Sequence, residues 1–254
     1  MVSIVMPAYN AARFIGDAIR SVQAQTVEDW ELLVIDDGSR DGTVRLAERL
    51  ASADSRIRLL KNERNRGVSE TRNRGVRKAR GEWVAFLDSD DLWREDKLER
   101  QLALIEAHPG AALTYTASAF MDEDGKPYDY VLPAREEISY KELLRHNLLS
   151  CSSVMARRDV LLRHPFPGDA MHEDYAVWLE ILKEVPCACG VNEPLLIYRM
   201  YPGSKSGNRL NSARMLYRTY RHAGCGPLRS GAMLLPYTLY SVRKRRRIFS
   251  GDRP

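Results

Sequence analysis

Cysteine is scarce in this sequence and long hydrophobic runs are absent, which excludes several classes of protein. Only four of the 254 residues are cysteines, and they form neither a CxxC pair nor a zinc-site spacing with histidine, so we expect free thiols rather than a structural zinc. The longest apolar run, residues 231–242, contains Pro236 and is far shorter than the roughly 20 residues that a membrane-spanning helix needs. We therefore expect no membrane span.

The first residues also lack the basic flank and apolar core of a signal peptide, because residues 2–6 are a short strand-like run. We therefore expect a cytoplasmic location. Hydrophobic residues make up 44% of the chain and charged residues 29%, which suits a sizeable core without a long disordered tract. The length of 254 residues is consistent with one α/β domain and a C-terminal appendage.

Charge is distributed unevenly along the chain, although the net charge is only +5. Residues 213–254 contain ten of the 39 Lys and Arg but only one of the 34 acidic residues, so this tail carries +9 and the rest of the chain −4. A basic end on a mildly acidic body indicates an anionic partner, which is either a membrane surface or nucleic acid.

Short apolar runs alternate with amphipathic stretches in the first half of the sequence, a pattern that predicts a mostly parallel central sheet flanked by helices. The predicted strands are residues 2–6, 30–36, 56–61, 82–87, 112–121 and 194–200. The predicted helices are residues 11–25, 41–53, 68–79, 94–107, 139–146, 157–163, 172–184, 213–221 and 228–247. This order of elements predicts the α/β fold class.

Polar clusters follow predicted strands, where open α/β sheets bind their ligands. The first two are PAYN at residues 7–10 and DDGS at residues 36–39. Because Asp-Asp-Gly-Ser is also a common turn sequence, a structural role is an equal alternative. In the functional interpretation, Asp37 accepts hydrogen bonds from a nucleotide base or ribose.

A third cluster, DSDD at residues 88–91, places three carboxylates within four positions at the end of an apolar strand. A bound cation would offset their mutual repulsion, and a hard divalent ion could bridge them to a diphosphate. The alternative is that Ser89 and Asp90 cap the next helix.

A fourth cluster, HED at residues 172–174, begins a predicted helix. Acids in a first helical turn interact favourably with the helix dipole, so capping is one interpretation. The other is that one carboxylate faces the site as a general base. Position alone does not distinguish Glu173 from Asp174 for that role.

The order and spacing of these motifs resemble those of glycosyltransferase family 2 over residues 1–206. The matching segments are PAYN at 7–10, QT at 25–26, VIDDGSRDGT at 34–43, NRG at 65–67, RN at 72–73, Gly81, FLDSDD at 86–91 and ED at 173–174. The resemblance implies a GT-A fold, a nucleotide diphosphate sugar donor, Mg²⁺ or Mn²⁺, and inversion at the anomeric carbon. We expect residues 1–206 to form this transferase domain and residues 207–254 to form a basic helical tail.

Roles for single residues follow from the resemblance, position by position. The residues expected to bind the nucleotide sugar are Pro7, Tyr9, Asp37, Arg72, Asp88 and Ser89. Asp90 is expected to bind the metal ion, and Asp174, as the second acid of its pair, to act as the general base. Trp178 and Glu173 are expected to border the acceptor.

The segment that follows residue 198 departs from the family pattern, because many members have a histidine where this chain has Tyr201. No metal contact is therefore assigned to this loop, but Arg199 and Lys205 are expected to reach the donor phosphates. The surroundings of residues 172–174 and 198–207 also resemble sugar transferases of teichuronic acid, capsule and O-antigen synthesis. That similarity implies a UDP-sugar donor and a saccharide acceptor on a polyprenyl diphosphate lipid.

Three roles fit the basic tail. Aromatic and aliphatic residues beside the clustered cations of residues 243–247 suit an anchor on anionic lipid, which would hold the protein peripherally on the inner face of the cell membrane. The tail could instead be a packing helix with a solvated basic end. Nucleic-acid binding lacks a recognition motif, and we expect no nucleic-acid partner.

Two other functions share parts of this pattern. A sugar nucleotidyltransferase would need a Gly-rich, Arg-bearing loop after the first strand, where this chain has PAYN. A non-catalytic sugar-nucleotide binding module would be expected to lack an acid at position 88, 90 or 174, and all three acids are present. The sequence therefore favours a transferase.

Overall fold

The apolar runs form the strands of a mixed sheet in the computed structural model, which describes residues 1–201 and 209–250. The strands are β1 (Val2–Ala8), β2 (Trp30–Asp36), β3 (Ile57–Lys61), β4 (Trp83–Phe86), β5 (Leu92–Trp93), β6 (Leu113–Met121), β7 (Pro127–Leu132), β8 (Glu137–Ile138), β9 (Met155–Arg157) and β10 (Ala188–Arg199). Their order in the sheet is β3-β2-β1-β4-β9-β6-β10-β5, with β7 paired to β6 and β8 to β10. Because β1 to β4 all run in parallel, their carboxyl ends meet at one edge.

Helices cover both faces of this sheet. They are α1 (Ile15–Gln23), α2 (Thr43–Ala53), α3 (Val68–Lys78), α4 (Lys97–Ala107), α5 (Tyr140–Leu143), α6 (Arg158–Arg163), α7 (Glu173–Glu184), α8 (Arg209–His222) and α9 (Pro227–Ser250). Successive residues of β1 point to opposite faces, so Ile4 and Met6 pack in one core with α1, α2 and α4. Val5 packs in the other core with α3, α6 and α7.

Helix α3 lies very close to β1 because it contains a glycine at the contact. A Cβ atom added at Gly75 would lie 2.5 Å from Cγ1 of Val5, so a larger residue would push the helix away from the sheet. One turn earlier on the same helix, Arg72 reaches the carboxyl edge of the sheet. The close packing therefore helps to place a charged side chain beside the acidic clusters.

The helices and strands predicted over the first 121 residues are confirmed, with ends that shift by no more than about one helical turn. The short strand β5 and strands β7, β8 and β9 were not predicted. Strand β10 begins at Ala188, earlier than predicted, and its pairing with β6 changes register around Pro194. Proline lacks the N–H group that a regular ladder needs, which accounts for the interruption.

The basic tail forms α8 and α9, and one face of α9 packs on the sheet domain. Ile248 is 3% exposed and contacts Phe120 and Tyr130. The ring of Tyr240 stacks on that of His146 with centroids 4.3 Å apart. The packing role proposed for the tail is thus present in the structure on this face.

The other face of α9 is exposed and apolar along helical spacing, with Leu228, Leu235 and Leu239 at 91%, 67% and 50% exposure. Within residues 1–201 and 209–250, no helix is long and apolar enough to cross a membrane. The predicted domain boundary at residues 206 and 207 lies outside the described residues.

Candidate active site

The loops after β1 and β2 are joined at the carboxyl edge of the sheet. Pro7, buried at the end of β1, is paired with Ile35 of β2. Beyond the strand, the backbone N–H of Asn10 donates to Oγ of Ser39 at 2.9 Å. The PAYN and DDGS motifs therefore form one continuous wall, from which the side chain of Tyr9 projects with 50% exposure.

Asp37 is a buried carboxylate that fixes the loop before α3. Its Oδ1 atom accepts hydrogen bonds from Nδ2 of Asn62 at 2.7 Å and from the backbone N–H of Arg66 at 2.9 Å. Its Oδ2 atom accepts one from the backbone N–H of Gly67 at 2.9 Å. Among the described residues Oδ2 has this one donor, so it retains a lone pair that a ligand could use. The base-binding role of Asp37 stays a prediction.

Arg72 connects the DSDD cluster to the start of α7. It is 3% exposed, and its Nη2 atom lies 2.6 Å from Oδ1 of Asp88 while Nη1 lies 2.9 Å from Oε1 of Glu173. Burial opposes the charge of Arg72, but the Asp88 and Glu173 carboxylates outweigh this effect and hold the pKa of Arg72 well above its usual value. The bridge thus unites two clusters that are far apart in sequence.

Asp91 is the structural acid of the DSDD cluster. It is 1% exposed and accepts hydrogen bonds from Oγ of Ser152 at 2.7 Å and from the backbone N–H of Arg199 at 2.9 Å. Burial raises the pKa of Asp91 well above its usual value, and the neighbouring carboxylates add to the shift. The contacts of Asp91 fix the shape of the loop, and its carboxylate is not accessible to solvent.

Asp90, by contrast, is partly exposed and is hydrogen-bonded to the side chain of Tyr201. Burial and the nearby Asp88 carboxylate raise the pKa of Asp90 to about 6, although the Tyr201 bond opposes the shift. Ser89, between the two acids, is also partly exposed. An unfavourable negative charge that faces outward is the kind that a bound cation would stabilise.

Asp90 could supply part of the ligand shell of a metal ion. Within residues 1–201 and 209–250, no group of three or more His, Cys, Asp or Glu is placed to hold an ion by itself. Carboxylate oxygens such as those of Asp90 suit Mg²⁺ or Mn²⁺, and Mg²⁺ commonly takes one or two carboxylates and completes its shell with water and substrate phosphates. A diphosphate substrate would supply oxygen ligands to complete the shell of the ion.

The two acids at the start of α7 have different surroundings. Glu173 is 6% exposed and is bound to Arg72. Asp174 is partly exposed, and its one hydrogen bond among the described residues comes from the backbone N–H of Tyr175 at 2.7 Å. Burial and the Glu173 carboxylate raise the pKa of Asp174, although Arg72 opposes the shift. Asp174 is therefore the acid with a free oxygen and a heightened affinity for a proton.

Arg199 braces the DSDD loop in this structure. It is 5% exposed, its Nε atom donates to the backbone oxygen of Asp90 at 2.8 Å, and its Nη1 atom donates to that of Glu123 at 3.1 Å. The guanidinium is therefore occupied by protein carbonyls, and its contact with donor phosphates stays a prediction. Lys205, expected to share that role, lies outside the described residues.

The position of Trp178 corrects an expectation from the sequence. Its side chain is 0% exposed and packs against Phe86 and Phe166, with ring centroids 5.9 and 6.0 Å away. A fully enclosed indole does not border an acceptor. Trp178 instead forms part of the core beneath the start of α7.

Two polar residues that support the site, Ser152 and Asp169, belong to none of the motifs found in the sequence. Ser152 accepts a hydrogen bond from the backbone N–H of Asp88 at 3.0 Å and donates to Asp91, so it holds both ends of the acidic loop. Asp169 accepts hydrogen bonds from the backbone N–H groups of Val68 and Ser69, each at 2.9 Å, at the start of α3. Ser152 lies in a short 3-10 helix, Cys151–Ser153, and Asp169 lies in a turn, and at neither position does spacing or periodicity indicate a role.

Replacing Asp90 with asparagine is expected to stabilise the metal-free protein at neutral pH but not in acid. The pKa of Asp90 rises from 3.8 to about 6 on folding, so its ionisation above that pH costs folding free energy, which a neutral amide avoids. Below both values the carboxyl is protonated in both states and the difference vanishes. As the pH falls from about 7.5 to about 4.5, the increase in the free energy of unfolding caused by Asp90→Asn should shrink by about 1–2 kcal/mol, at about 1.36 kcal/mol per pKa unit.

Denaturant unfolding in the presence of a chelator measures this difference. Glu106→Gln, which neutralises an exposed acid on α4, is the matched control for the loss of one carboxylate. An Asp90→Asn gain of the same size at both pH values would contradict the electrostatic account.

Known proteins with related sequences were found by comparison. The sequence profile described as Glycosyl transferase family 2 matches residues 3–163. The chain is 36% identical over 221 residues to "Putative teichuronic acid biosynthesis glycosyltransferase TuaG" of Bacillus subtilis, with 87% of each chain covered. It is 34% identical over 250 residues to "UDP-Glc:alpha-D-GlcNAc-diphosphoundecaprenol beta-1,3-glucosyltransferase WfgD" of Escherichia coli, with 96% of this chain and 94% of the relative covered.

Solved structures share the fold at lower sequence identity. Residues 1–349 of S. aureus TarS, in complex with UDP, match with a TM-score of 0.71 and 18% identity, covering 98% of this chain and 72% of that one. The mannosyltransferase PcManGT from Pyrobaculum calidifontis, in complex with GDP-Man and Mn²⁺, matches with a TM-score of 0.68 and 21% identity, covering 92% and 68%. At these identities the likeness concerns the fold alone.

Proposed function

Because the chain belongs to glycosyltransferase family 2, we propose that it moves a sugar from a nucleotide diphosphate donor to a hydroxyl group of a saccharide acceptor, with inversion at the anomeric carbon. The family and the GT-A fold expected from the sequence are both confirmed. The observation that carries the proposal is the placement of two partly exposed carboxylates, Asp90 and Asp174, on either side of the bridge made by Arg72.

Donor binding is assigned to the wall formed by the loops after β1, β2 and β4. Tyr9 and Asp37 would contact the nucleoside, and Asp88 the ribose. Asp90 would hold Mn²⁺ or Mg²⁺ on the diphosphate, where the ion would neutralise the charge that develops as the bond to the sugar breaks. The raised pKa of Asp90 and the presence of Mn²⁺ with GDP-Man in PcManGT support this assignment.

Asp174 is assigned to the acceptor. Its free carboxylate oxygen would take the proton of the attacking hydroxyl, and the oxygen of that hydroxyl would form a bond to C1 opposite the departing nucleotide diphosphate. One displacement from the opposite side inverts the anomeric carbon. Arg72 would keep Glu173 and Asp88 in place on either side, which makes it a positioning residue for both substrates.

The acceptor that fits the relatives is a lipid-linked saccharide in surface polysaccharide synthesis. WfgD is named for alpha-D-GlcNAc-diphosphoundecaprenol and UDP-Glc, and TuaG for teichuronic acid biosynthesis. For this chain we assign a UDP-sugar donor and an acceptor on a polyprenyl diphosphate lipid. Such a lipid would be presented at a membrane surface.

A donor screen by thermal unfolding tests the proposed function. UDP-, GDP- and dTDP-sugars are each added with and without Mn²⁺, and one class is expected to raise the melting temperature only when the ion is present. Binding at about 100 times Kd stabilises by about 2.7 kcal/mol, which corresponds to a rise of about 5–10 °C at this size. Stabilisation by a nucleoside triphosphate but by no nucleotide sugar would favour a nucleotidyltransferase and contradict the proposal.

The exposed face of α9 is assigned to docking on the inner face of the cell membrane. Leu228, Leu235 and Leu239 would insert between lipids, and the exposed Arg243 would pair with anionic headgroups. Each cation near such a surface contributes about 1 kcal/mol, and salt screens this attraction. Because only one face of α9 would enter the lipid, the docking would be peripheral.

Sedimentation with vesicles of phosphatidylglycerol measures the docking. Leu239→Ser combined with Arg243→Ser should lower the affinity at least about tenfold, because an inserted side chain and a cation are lost together. Leu162→Ser combined with Arg45→Ser removes an exposed leucine and an exposed arginine elsewhere and should have little effect. Equal binding of the two double variants, or salt-independent binding, would contradict the assignment.

A further inference from the structure

A groove of about 840 Å³ lies between α8 and α9, outside the acidic edge described above. It is lined by hydroxyl, apolar and aromatic side chains and by two cations, and the lining includes Ser212, Leu216, Tyr237, Thr238, Arg245 and Arg246. A volume of this size is within the range of about 300–1,000 Å³ that is usual for ligand pockets.

One end of the groove lies beside the proposed general base. The backbone oxygen of Ser212 is 3.2 Å from Nε2 of His172, and its Oγ atom is 3.3 Å from the same nitrogen. The ring of Tyr237 packs on that of Tyr175 with centroids 6.2 Å apart. Burial, the neighbouring Tyr220 and the Asp174 carboxylate together raise the pKa of Tyr237, which places this end of the groove close to the proposed base.

The other end of the groove is cationic. Arg245 and Arg246 are exposed, and along α9 they lie about 12 Å beyond Tyr237 at about 1.5 Å per residue. Guanidinium groups bind phosphate oxygens through paired hydrogen bonds, which suits a diphosphate better than a single neutral group. The groove therefore has an aromatic, hydroxyl-bearing end near the base and an anion-binding end remote from it.

We infer that this groove holds the sugar diphosphate of the acceptor, with the sugar between Tyr237 and Thr238 and the diphosphate on Arg245 and Arg246. An aromatic ring against the apolar face of a sugar, with hydroxyl groups beside it, is a common arrangement in ligand sites. This inference rests on the proposed transfer to a lipid-linked acceptor and adds the residues that would recognise it.

The headgroup of phosphatidylglycerol offers related chemistry, but it carries a single phosphate and no hexose. The groove would then serve membrane docking and not acceptor recognition. A water-soluble probe measured without vesicles separates the two, because no membrane is present to recruit the tail.

The probe is alpha-D-GlcNAc diphosphate carrying a farnesyl chain, titrated by calorimetry into the full-length protein that has been saturated with UDP and Mn²⁺. Saturation fills the donor site, so binding of the probe reports a second site. The Arg245→Gln and Arg246→Gln double variant is expected to weaken binding at least about tenfold, because both guanidinium contacts to the diphosphate are lost. Thr238→Trp, which fills the end where the sugar lies, should weaken it by a similar factor.

Matched controls lie on the same two helices. Arg214→Gln combined with Arg229→Gln removes two exposed cations that do not line the groove, and Ala232→Trp adds an indole at an exposed position of α9. Both should bind the probe as the unmodified protein does. The corresponding farnesyl monophosphate sugar should bind more weakly than the diphosphate, and the arginine double variant should lose this preference.

Three results would overturn the inference. They are an absence of probe binding to the unmodified protein, equal losses in the groove variants and their controls, and equally tight binding of short-chain phosphatidylglycerol with the same dependence on Arg245 and Arg246. If UDP with Mn²⁺ binds while the probe does not, the acceptor groove is wrong and the proposed donor chemistry stands. If neither binds, the proposed function itself fails.

Discussion

Asp174→Asn is expected to bind the nucleotide sugar donor as the unmodified protein does, but to lose about 10²- to 10⁴-fold in kcat. Among the described residues the carboxylate accepts one hydrogen bond, from a backbone N–H, so an amide of the same shape should preserve the local structure. What the amide cannot do is accept the proton of the attacking hydroxyl. Steady-state kinetics and donor titration on the same preparation measure the two effects separately.

Glu173→Gln is the matched control for this variant, because it is the adjacent acid in a different environment. Its loss would weaken the contact to the buried Arg72, so the variant should lower the free energy of unfolding. Asp174→Asn should not. Near-normal kcat in Asp174→Asn, together with a kcat loss in a Glu173→Gln protein that remains folded, would assign the base one residue earlier.

Asp90→Asn is expected to abolish the enhancement of donor binding by Mn²⁺. A metal ion on a diphosphate contributes several kcal/mol of charge stabilisation, so the loss should be at least about 10²-fold in donor affinity at saturating ion. The same substitution is expected to stabilise the metal-free protein at neutral pH. Lower affinity in a more stable protein would mark Asp90 as a functional acid and not a structural one.

Asp91→Asn provides the comparison within the same loop. Asp91 accepts hydrogen bonds from Ser152 and Arg199 in a buried position, so its replacement should lower stability. Calorimetry of UDP binding with and without Mn²⁺ measures both variants. Manganese-dependent UDP affinity that survives in Asp90→Asn would contradict the assignment of the metal to Asp90.

The central parallel strands could be predicted from sequence because β1, β2 and β4 are continuous apolar runs buried on both faces. Strands β8 and β9 are too short to show a period, and they exist because longer neighbours pair with them. The edge strand β7 pairs only with β6 among the described strands, and its exposed alternate positions, Pro127, Asp129 and Val131, include only one polar residue. In such segments tertiary pairing decides the structure.

The acidic clusters could be located from sequence, but the division of roles within each cluster could not. Ser152 and Arg199 are remote in sequence from the acidic loop. Both donate hydrogen bonds to the side-chain oxygens of Asp91, and neither donates to those of Asp90. Glu173 differs from Asp174 because Arg72 reaches only the first with a hydrogen bond. These contacts depend on the folded sheet and leave no local signal.

The burial of Trp178, in contrast, could be predicted from the apolar pattern of α7. Tyr175 and Leu182 lie three positions before it and four positions after it, so all three share one face of α7. That face is buried, as are Ala176, Val177 and Leu179 elsewhere on the helix, so the dense apolar run already predicts an enclosed side chain at position 178. The family resemblance instead placed this residue near the acceptor.

Inverting transfer can be observed directly in a proton NMR spectrum of the complete reaction, with a UDP-α-sugar, Mn²⁺ and a lipid-linked acceptor analogue. UDP should be released and a new β-linkage should form, because Asp174 activates a hydroxyl that attacks opposite the leaving diphosphate. Both signals should be absent with Asp174→Asn over the same time. An α-linked product, or release of a sugar phosphate with UMP, would contradict the account.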